Sequence, residues 1–153
     1  MPAFGAPNPF VLALLRSPLH RLASGALLVL EVTGRKTGRT LVFPVMYARD
    51  GEGIVIVAAW ASKKRWWKNV LGGAEVGLLV AGERLRGEAR VVDDGAERGR
   101  LLRAYLARFP SAAKGLGLPK EASSVDDATL SSRLSDAVVV RVAPSGAQQG
   151  QSK

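Results

Sequence analysis

Six short apolar runs, none longer than eight residues, restrict this chain more than any other feature. They span residues 27–32, 41–48, 54–59, 76–81, 85–92 and 137–142, and glycine or charged residues separate most of them. Runs of this length suit strands and are short for helices, and several are rich in β-branched residues. Within residues 84–91, Leu85, Ala89 and Val91 alternate with Arg84, Arg86, Glu88 and Arg90. That alternation predicts a strand with one buried and one wet face. The first three runs follow one another through turns at 33–39 and 49–53, and the next two through Gly82-Glu83. Six strands in mostly hairpin connection, with few helices, predict a mainly β chain: a small antiparallel barrel, closed or split, with flanking helices.

Helical signals lie around these runs. Asn8-Pro9 reads as an N-cap followed by proline at the first helical position. Phe10, Val11, Leu14, Leu15, Leu19 and Leu22 then recur at helical spacing, with Pro18 as a kink. This N-terminal amphipathic helix over residues 8–22 packs on the core or lies on an anionic membrane surface. Its His20 reads as a surface residue. Asp93-Asp94 caps a helix from about residue 96 to 109, which Pro110 stops. Leu101, Leu102, Tyr105 and Phe109 face inward, and its arginines read as a solvated face. Residues 111–135 read as a loop with a short helix, and as the candidate lid. The organisation is one domain over residues 1–143, with a polar, disordered tail over 144–153.

The chain carries a formal charge of +9 and has no cysteine. Disulfides, a thiolate nucleophile and cysteine-based metal sites are excluded, and a single histidine leaves no basis for a multi-histidine metal cage. No metal ligands are assigned. The surplus of cations points to an anionic partner. No stretch of about 18 apolar residues is present, so no transmembrane helix is expected. The expected compartment is the cytoplasm, with residues 8–22 able to touch the inner face of the membrane.

Two clusters concentrate the positive charge. Thr33-Gly34-Arg35-Lys36-Thr37-Gly38-Arg39 places three cations between two glycines and two threonines. Such a turn can aim backbone N–H groups and side-chain donors at phosphate or carboxylate, or it can be an ordinary solvated hairpin turn. Residues 60–69 place three tryptophans and four cations within ten positions. Ser62 is placed to cap a short helix over residues 63–71, ended by Gly72-Gly73. The rings either roof one end of the barrel or form a flat wall for an aromatic anion, a flavin-like ring or an unstacked base.

The motif order resembles the deazaflavin-dependent nitroreductase and quinone reductase family. The matching segments are the basic turn at 33–39, Pro44 with Tyr47-Ala48-Arg49-Asp50-Gly51, Val57-Ala58-Ala59, Trp66-Trp67-Lys68-Asn69 and Glu75-Val76. The resemblance implies a six-stranded, FMN-binding-type split barrel. It also implies coenzyme F-420, a flat deazaflavin bearing a phosphate and an oligoglutamate tail. Arg35, Lys36 and Thr37 would then hold the phosphate and Arg39 the tail. Ser62, Lys63 and Lys64 would border the same groove, and Trp66 would line it. The implied reaction is hydride transfer to a small electron-poor acceptor: a quinone, enone or nitroaromatic. No catalytic side chain is assigned, and Tyr47 is the candidate proton donor. The chain departs from nitro-reducing relatives in a shorter loop between Ala59 and Trp66, in Trp60, and in Ser111-Ala112-Ala113-Lys114-Gly115 where those relatives carry tyrosines.

Two other readings stay open on residues alone. One is a non-catalytic barrel that holds deazaflavin, FMN or a tetrapyrrole. The other, disfavoured by tryptophans clustered on one short segment, binds single-stranded nucleic acid. FMN in place of the deazaflavin is the less favoured cofactor, because the basic residues suit the longer anionic tail, and both a monomer and a homodimer stay open.

Overall fold

Every apolar run becomes a strand, and the second becomes two. The computed structural model describes residues 27–80, 83–118 and 125–145. Its strands are β1 (Leu27–Thr33), β2 (Thr40–Met46), β3 (Ala48–Asp50), β4 (Gly53–Ala59), β5 (Ala74–Val80), β6 (Glu83–Val91) and β7 (Ala137–Pro144). All the ladders are antiparallel. The described residues thus form seven strands where the sequence pattern predicted six. The run at 41–48 divides at Tyr47: β2 pairs with β1, and β3 pairs with β4.

That division dictates the shape. The strand order is β2-β1-β5-β6-β7-β4-β3, so β2 and β3 stand at opposite ends of the sheet. Six strand spacings of about 4.8 Å would hold those edges roughly 29 Å apart if the sheet were flat. Met46 and Ala48 are joined through Tyr47 alone, and two trans peptide units reach at most about 7.6 Å. The sheet must therefore curl until its edges meet, and Tyr47 bridges the seam. Pro44 is tolerated in β2 because that strand is an edge, laddered only to β1 through the Pro44–Val29 pair.

Closure creates an inside and an outside. Leu28, Leu30, Val32, Ile54, Ile56, Leu78, Val80, Val140 and Val142 fill the interior, together with Val70. The intervening residues of β4 and β7, Val55 and Val139, face outward and meet Leu101, Leu102, Tyr105 and Leu106. Those four residues belong to helix α1 (Gly95–Arg108). Both faces of β4 and β7 are thus covered, which is why their sequences are continuous apolar runs and not alternating ones. β6, alternating in sequence, keeps a wet face: Arg84, Glu88 and Arg90 are exposed while Ala89 is buried. Asp94 caps α1 by accepting from the Glu97 N–H at 2.9 Å.

Residues 111–135 are more built than the predicted loop. They include α2 (Ala112–Gly115) and α3 (Asp127–Ser132). Ala113, Leu116, Leu118 and Leu130 are buried in the same outer core as α1. A Cβ on Gly99 would stand 1.8 Å from the backbone oxygen of Asp127, so α3 packs backbone to backbone against α1. The described parts of this segment are anchored to the outer core by these buried side chains, which argues against a freely moving lid there.

The arginines of α1 are also not a plain solvated face. Arg98 donates to the Ser131 hydroxyl at 2.6 Å, Arg100 pairs with Asp50 at 2.8 Å, and Arg103 pairs with Asp127 at 2.9 Å. They tie the helix to β3 and α3. The helix predicted over residues 8–22, Gly82 of the predicted turn, and residues 146–153 lie outside the described residues. Pro144 closes β7 and Ser145 donates its N–H to the Arg86 carbonyl at 2.7 Å, so the first two residues assigned to the tail belong to the sheet. Among the described residues no helix is long and apolar enough to cross a membrane.

Candidate functional site

The basic turn joins β1 to β2 and closes on itself. The Gly34 N–H donates to the Arg39 carbonyl at 2.7 Å, and the Gly38 N–H to the Gly34 carbonyl at 2.9 Å. Gly38 takes φ +73°, a conformation that a side chain at this position would strain. The Thr37 hydroxyl accepts the Arg39 N–H at 3.1 Å. Lys36, Thr37 and Arg39 are exposed.

Arg35 does something the sequence did not announce. Its N–H donates to the Asn69 side-chain oxygen at 3.0 Å, and its guanidinium donates to the Leu71 carbonyl. The turn is thereby fastened to the tryptophan segment 34–36 residues further along the chain. A guanidinium carries five donors, so this tie leaves capacity for an anion.

The tryptophan segment is two 3-10 turns, η1 (Ala61–Lys63) and η2 (Trp66–Val70), where the sequence predicted one helix over 63–71. Ser62 is not its cap. The Ser62 N–H and hydroxyl both donate to the Asp136 carboxylate, each at 2.9 Å, and this pull toward β7 holds η1 apart from η2. Gly72 and Gly73, at φ +80° and +101°, end the segment as expected. The Trp67 indole donates to the Ala61 carbonyl at 3.0 Å, tying η2 back to η1. Trp66 is half-buried, tilted against Phe43 of β2 with ring centroids 5.4 Å apart. Val70 is buried in the barrel interior. The segment therefore roofs one end of the barrel and presents a surface as well.

η2 is thus a bridge. Its C-terminal end holds Arg35 of the basic turn, and Trp67 holds Ala61 of η1. Five residues of 3-10 helix rise roughly 10 Å. The two cationic clusters, far apart in sequence, hang from the two ends of this element, with Ser62, Lys63 and Lys64 exposed on the η1 side.

Ion pairs among the described residues include Arg86–Glu75, Arg90–Glu97, Arg100–Asp50, Arg103–Asp127 and Arg141–Asp50. Among the described residues no carboxylate pairs with Lys36, Arg39, Lys63, Lys64 or Arg65. A groove of about 470 Å³ bordered by Glu75, Gly87, Glu88, Pro144 and Ser145 carries the opposite sign and suits an anion poorly. Among the described residues no group of three or more His, Cys, Asp or Glu side chains could hold a metal ion.

Tyr47, the candidate proton donor, is buried at the seam of the barrel. Arg49 and Arg108 lie 5.7 and 5.6 Å from its ring centre. Its placement is that of a core residue clamped between cations. Sequence reasoning missed two residues that shape the site. Asn69 stands in the segment that carries the family resemblance, but no role was assigned to its carboxamide, which accepts the Arg35 N–H. Asp136 lies 74 residues from Ser62 and carried no local signal.

Known proteins place the chain. Residues 17–115 match the family model described as F420H(2)-dependent quinone reductase. A solved F420-H2 dependent reductase, FDR-A, is similar with a TM-score of 0.57 at 21% identity, over 76% of this chain and 93% of that one. HutZ, the heme storage protein of Vibrio cholerae, is similar with a TM-score of 0.53 at 16% identity, over 84% of this chain and 89% of that one. A pyridoxamine 5'-phosphate oxidase-like protein of Listeria innocua gives 0.51 at 13% identity, over 88% and 90%. At these identities the structures show the fold alone, a split barrel. No curated protein matches the sequence. The family match covers more than half of the chain, which belongs to the F420H(2)-dependent quinone reductase family.

Proposed function

We propose that, within this family, the chain is a reductase that binds coenzyme F-420 along the basic turn and the η1–η2 segment, and reduces an electron-poor acceptor such as a quinone, an enone or a nitroaromatic. One observation carries the reading. Cations without carboxylate partners among the described residues, Lys36 and Arg39 on the turn, Lys63 at the end of η1, and Lys64 and Arg65 between η1 and η2, gather about a single bridging element that also bears Trp66. A phosphate with a polycarboxylate tail is the kind of ligand that such an array neutralises.

When bound, the coenzyme supplies the hydride. The protein supplies placement and field. Lys36, Thr37 and Arg39 would hold the phosphate and tail, and Arg35, which fixes the turn against Asn69 and Leu71, would lend its remaining donors. Ser62, Lys63 and Lys64 border the groove, and Trp66, braced on Phe43, lines it. Hydrogen-bond donors or cations beside the acceptor would stabilise the negative charge that develops on it. Tyr47 stays structural.

The test is a titration of the purified chain with F-420 and separately with FMN, followed by protein and coenzyme fluorescence. F-420 should saturate in the micromolar range, and Lys36→Ala/Arg39→Ala should weaken it by about 10-fold or more, the loss of one to two charge-assisted contacts. Oxidation of reduced F-420 by menadione should follow. Binding without turnover would make the chain a sequestering barrel. Tight binding of FMN or single-stranded nucleic acid in place of F-420 would overturn the reading.

A further inference from the structure

Two described residues other than glycine take positive φ, Trp60 at +53° and Asp136 at +48°. They form one device. The Asp136 carbonyl accepts the Ala61 N–H at 2.9 Å, and its carboxylate takes both donors of Ser62. The Trp67 indole takes the Ala61 carbonyl, and the Lys63 N–H returns to the Trp60 carbonyl at 2.9 Å. Every residue next to Trp60 on the C-terminal side is held, so the left-handed backbone of Trp60 is imposed from outside.

A bulky residue in this conformation is unfavourable, and glycine or asparagine would fill the position more easily. Burial does not explain the choice. Trp60 is the most exposed of the large hydrophobic residues described, at 61%. Strain held in place by an over-determined frame, at a residue that the core does not need, is the pattern of a functional contact. The flat face of an indole is electron-rich and pairs with electron-poor rings and cations. Trp60 follows the end of β4 and stands two residues before Ser62, Lys63 and Lys64, on the η1 side of the bridge that carries the basic turn at its other end.

We infer that Trp60 is a specificity-determining residue: its indole, held out by the Asp136 bracket, stacks on the acceptor and selects flat aromatic acceptors, such as naphthoquinones, over aliphatic enones. This rests on the reductase reading for the identity of the ligand as an acceptor, but not for the existence of the contact. An indole platform at this end leaves the phosphate and tail of the coenzyme to the basic turn, so acceptor and coenzyme affinities are separable at Trp60.

The experiment compares the unsubstituted chain with Trp60→Phe, Trp60→Leu and Trp60→Gly. Three quantities are read: the Kd for menadione with no coenzyme present, from protein fluorescence; the Kd for F-420, from coenzyme fluorescence; and thermal stability. Trp60→Leu and Trp60→Gly should weaken menadione by about 10-fold, in the range of one lost stacking contact, and Trp60→Phe should retain most of it. The F-420 affinity should stay within twofold in all three. Trp60→Gly should also raise the melting temperature by about 2–4 °C as the strain is relieved, which shows that the loss of menadione binding is not unfolding. In turnover, Trp60→Leu should raise KM for menadione and leave KM for an aliphatic enone such as cyclohexenone unchanged. Failure of the unsubstituted chain to bind menadione overturns the inference. So does a loss of F-420 affinity in place of menadione affinity, or equal losses for menadione and cyclohexenone. Menadione binding lost in Trp60→Leu, in a chain that never binds F-420, would uphold the contact and overturn the reductase reading instead.

Discussion

Helix α1 and the basic turn are both dense in arginine and lysine, and they use them in opposite ways. On α1, Arg98, Arg100 and Arg103 each end on an oxygen of another element: Ser131, Asp50 and Asp127. On the turn, Lys36 and Arg39 have no carboxylate partner among the described residues, and Arg35 ends on a backbone carbonyl that positions the turn. Cations with partners hold the fold together. Cations without partners raise the local potential and repel one another, a cost that a bound anion offsets. The comparison separates paired from unpaired cations among the described residues of a chain of net charge +9, where composition treats all cations alike.

The largest expected effect lies on the helix side. Gly99→Ala puts a methyl group into the Asp127 backbone, and α3 cannot yield without dragging Arg103–Asp127 and the buried Leu130 with it. The substitution should cost about 3 kcal/mol, near the upper end for overpacking, read as a lower denaturation midpoint. A neutral result would mean that α3 is docked loosely and that the arginine pairs are ornamental.

Asp50 gives a smaller effect with a pH signature. It is half-buried between Arg100 at 2.8 Å and Arg141 at 3.3 Å. Burial pushes its carboxyl up, but hydrogen bonds and charge from the two arginines outweigh burial and hold it below the ordinary carboxylate value. A depressed folded pKa means stability that is whole above the unfolded value of about 3.9 and lost as pH falls through the folded one. Asp50→Asn should therefore destabilise by about 1–2 kcal/mol at pH 7, with a deficit that narrows only below about pH 3.9. A deficit independent of pH would show that shape at Asp50 matters and charge does not.

The smallest effect on stability belongs to the turn. Lys36→Ala/Arg39→Ala should change unfolding free energy by no more than about 0.5 kcal/mol, as for surface sites without partners, or even raise it slightly in low salt. The same variant should lose coenzyme affinity, so the two readouts diverge. A destabilisation comparable to that of Asp50→Asn would erase the distinction between the two regions.

Much of the fold could be read in advance because it follows from local rules. The alternation of β6 predicted its wet face, and the Asp94 cap and Pro110 bracketed α1. The continuous apolar character of β4 and β7 was legible but its cause was not: only the docking of α1 on the outside of Val55 and Val139 explains why both faces are apolar. In the site, the glycines at 38, 72 and 73 and the cations were plain in the sequence. What failed was the assumption that residues 60–71 settle their own hydrogen bonds. Ser62, a helix cap by local pattern, is taken by Asp136, and one helix becomes two 3-10 turns.

Sequence alone determined which segments become strands, where the main helix starts and stops, and which stretches carry surplus positive charge. These depend on side-chain period and on caps that act within a few residues. The tertiary structure decided the seam at Tyr47, where one predicted strand is divided between the two edges of a curled sheet. It also decided which cations pair with carboxylates and which have no carboxylate partner among the described residues. Those outcomes depend on partners 24 to 91 residues away, as in Arg103–Asp127 and Arg141–Asp50. No local propensity encodes them, because closing a sheet fixes its distant contacts all at once.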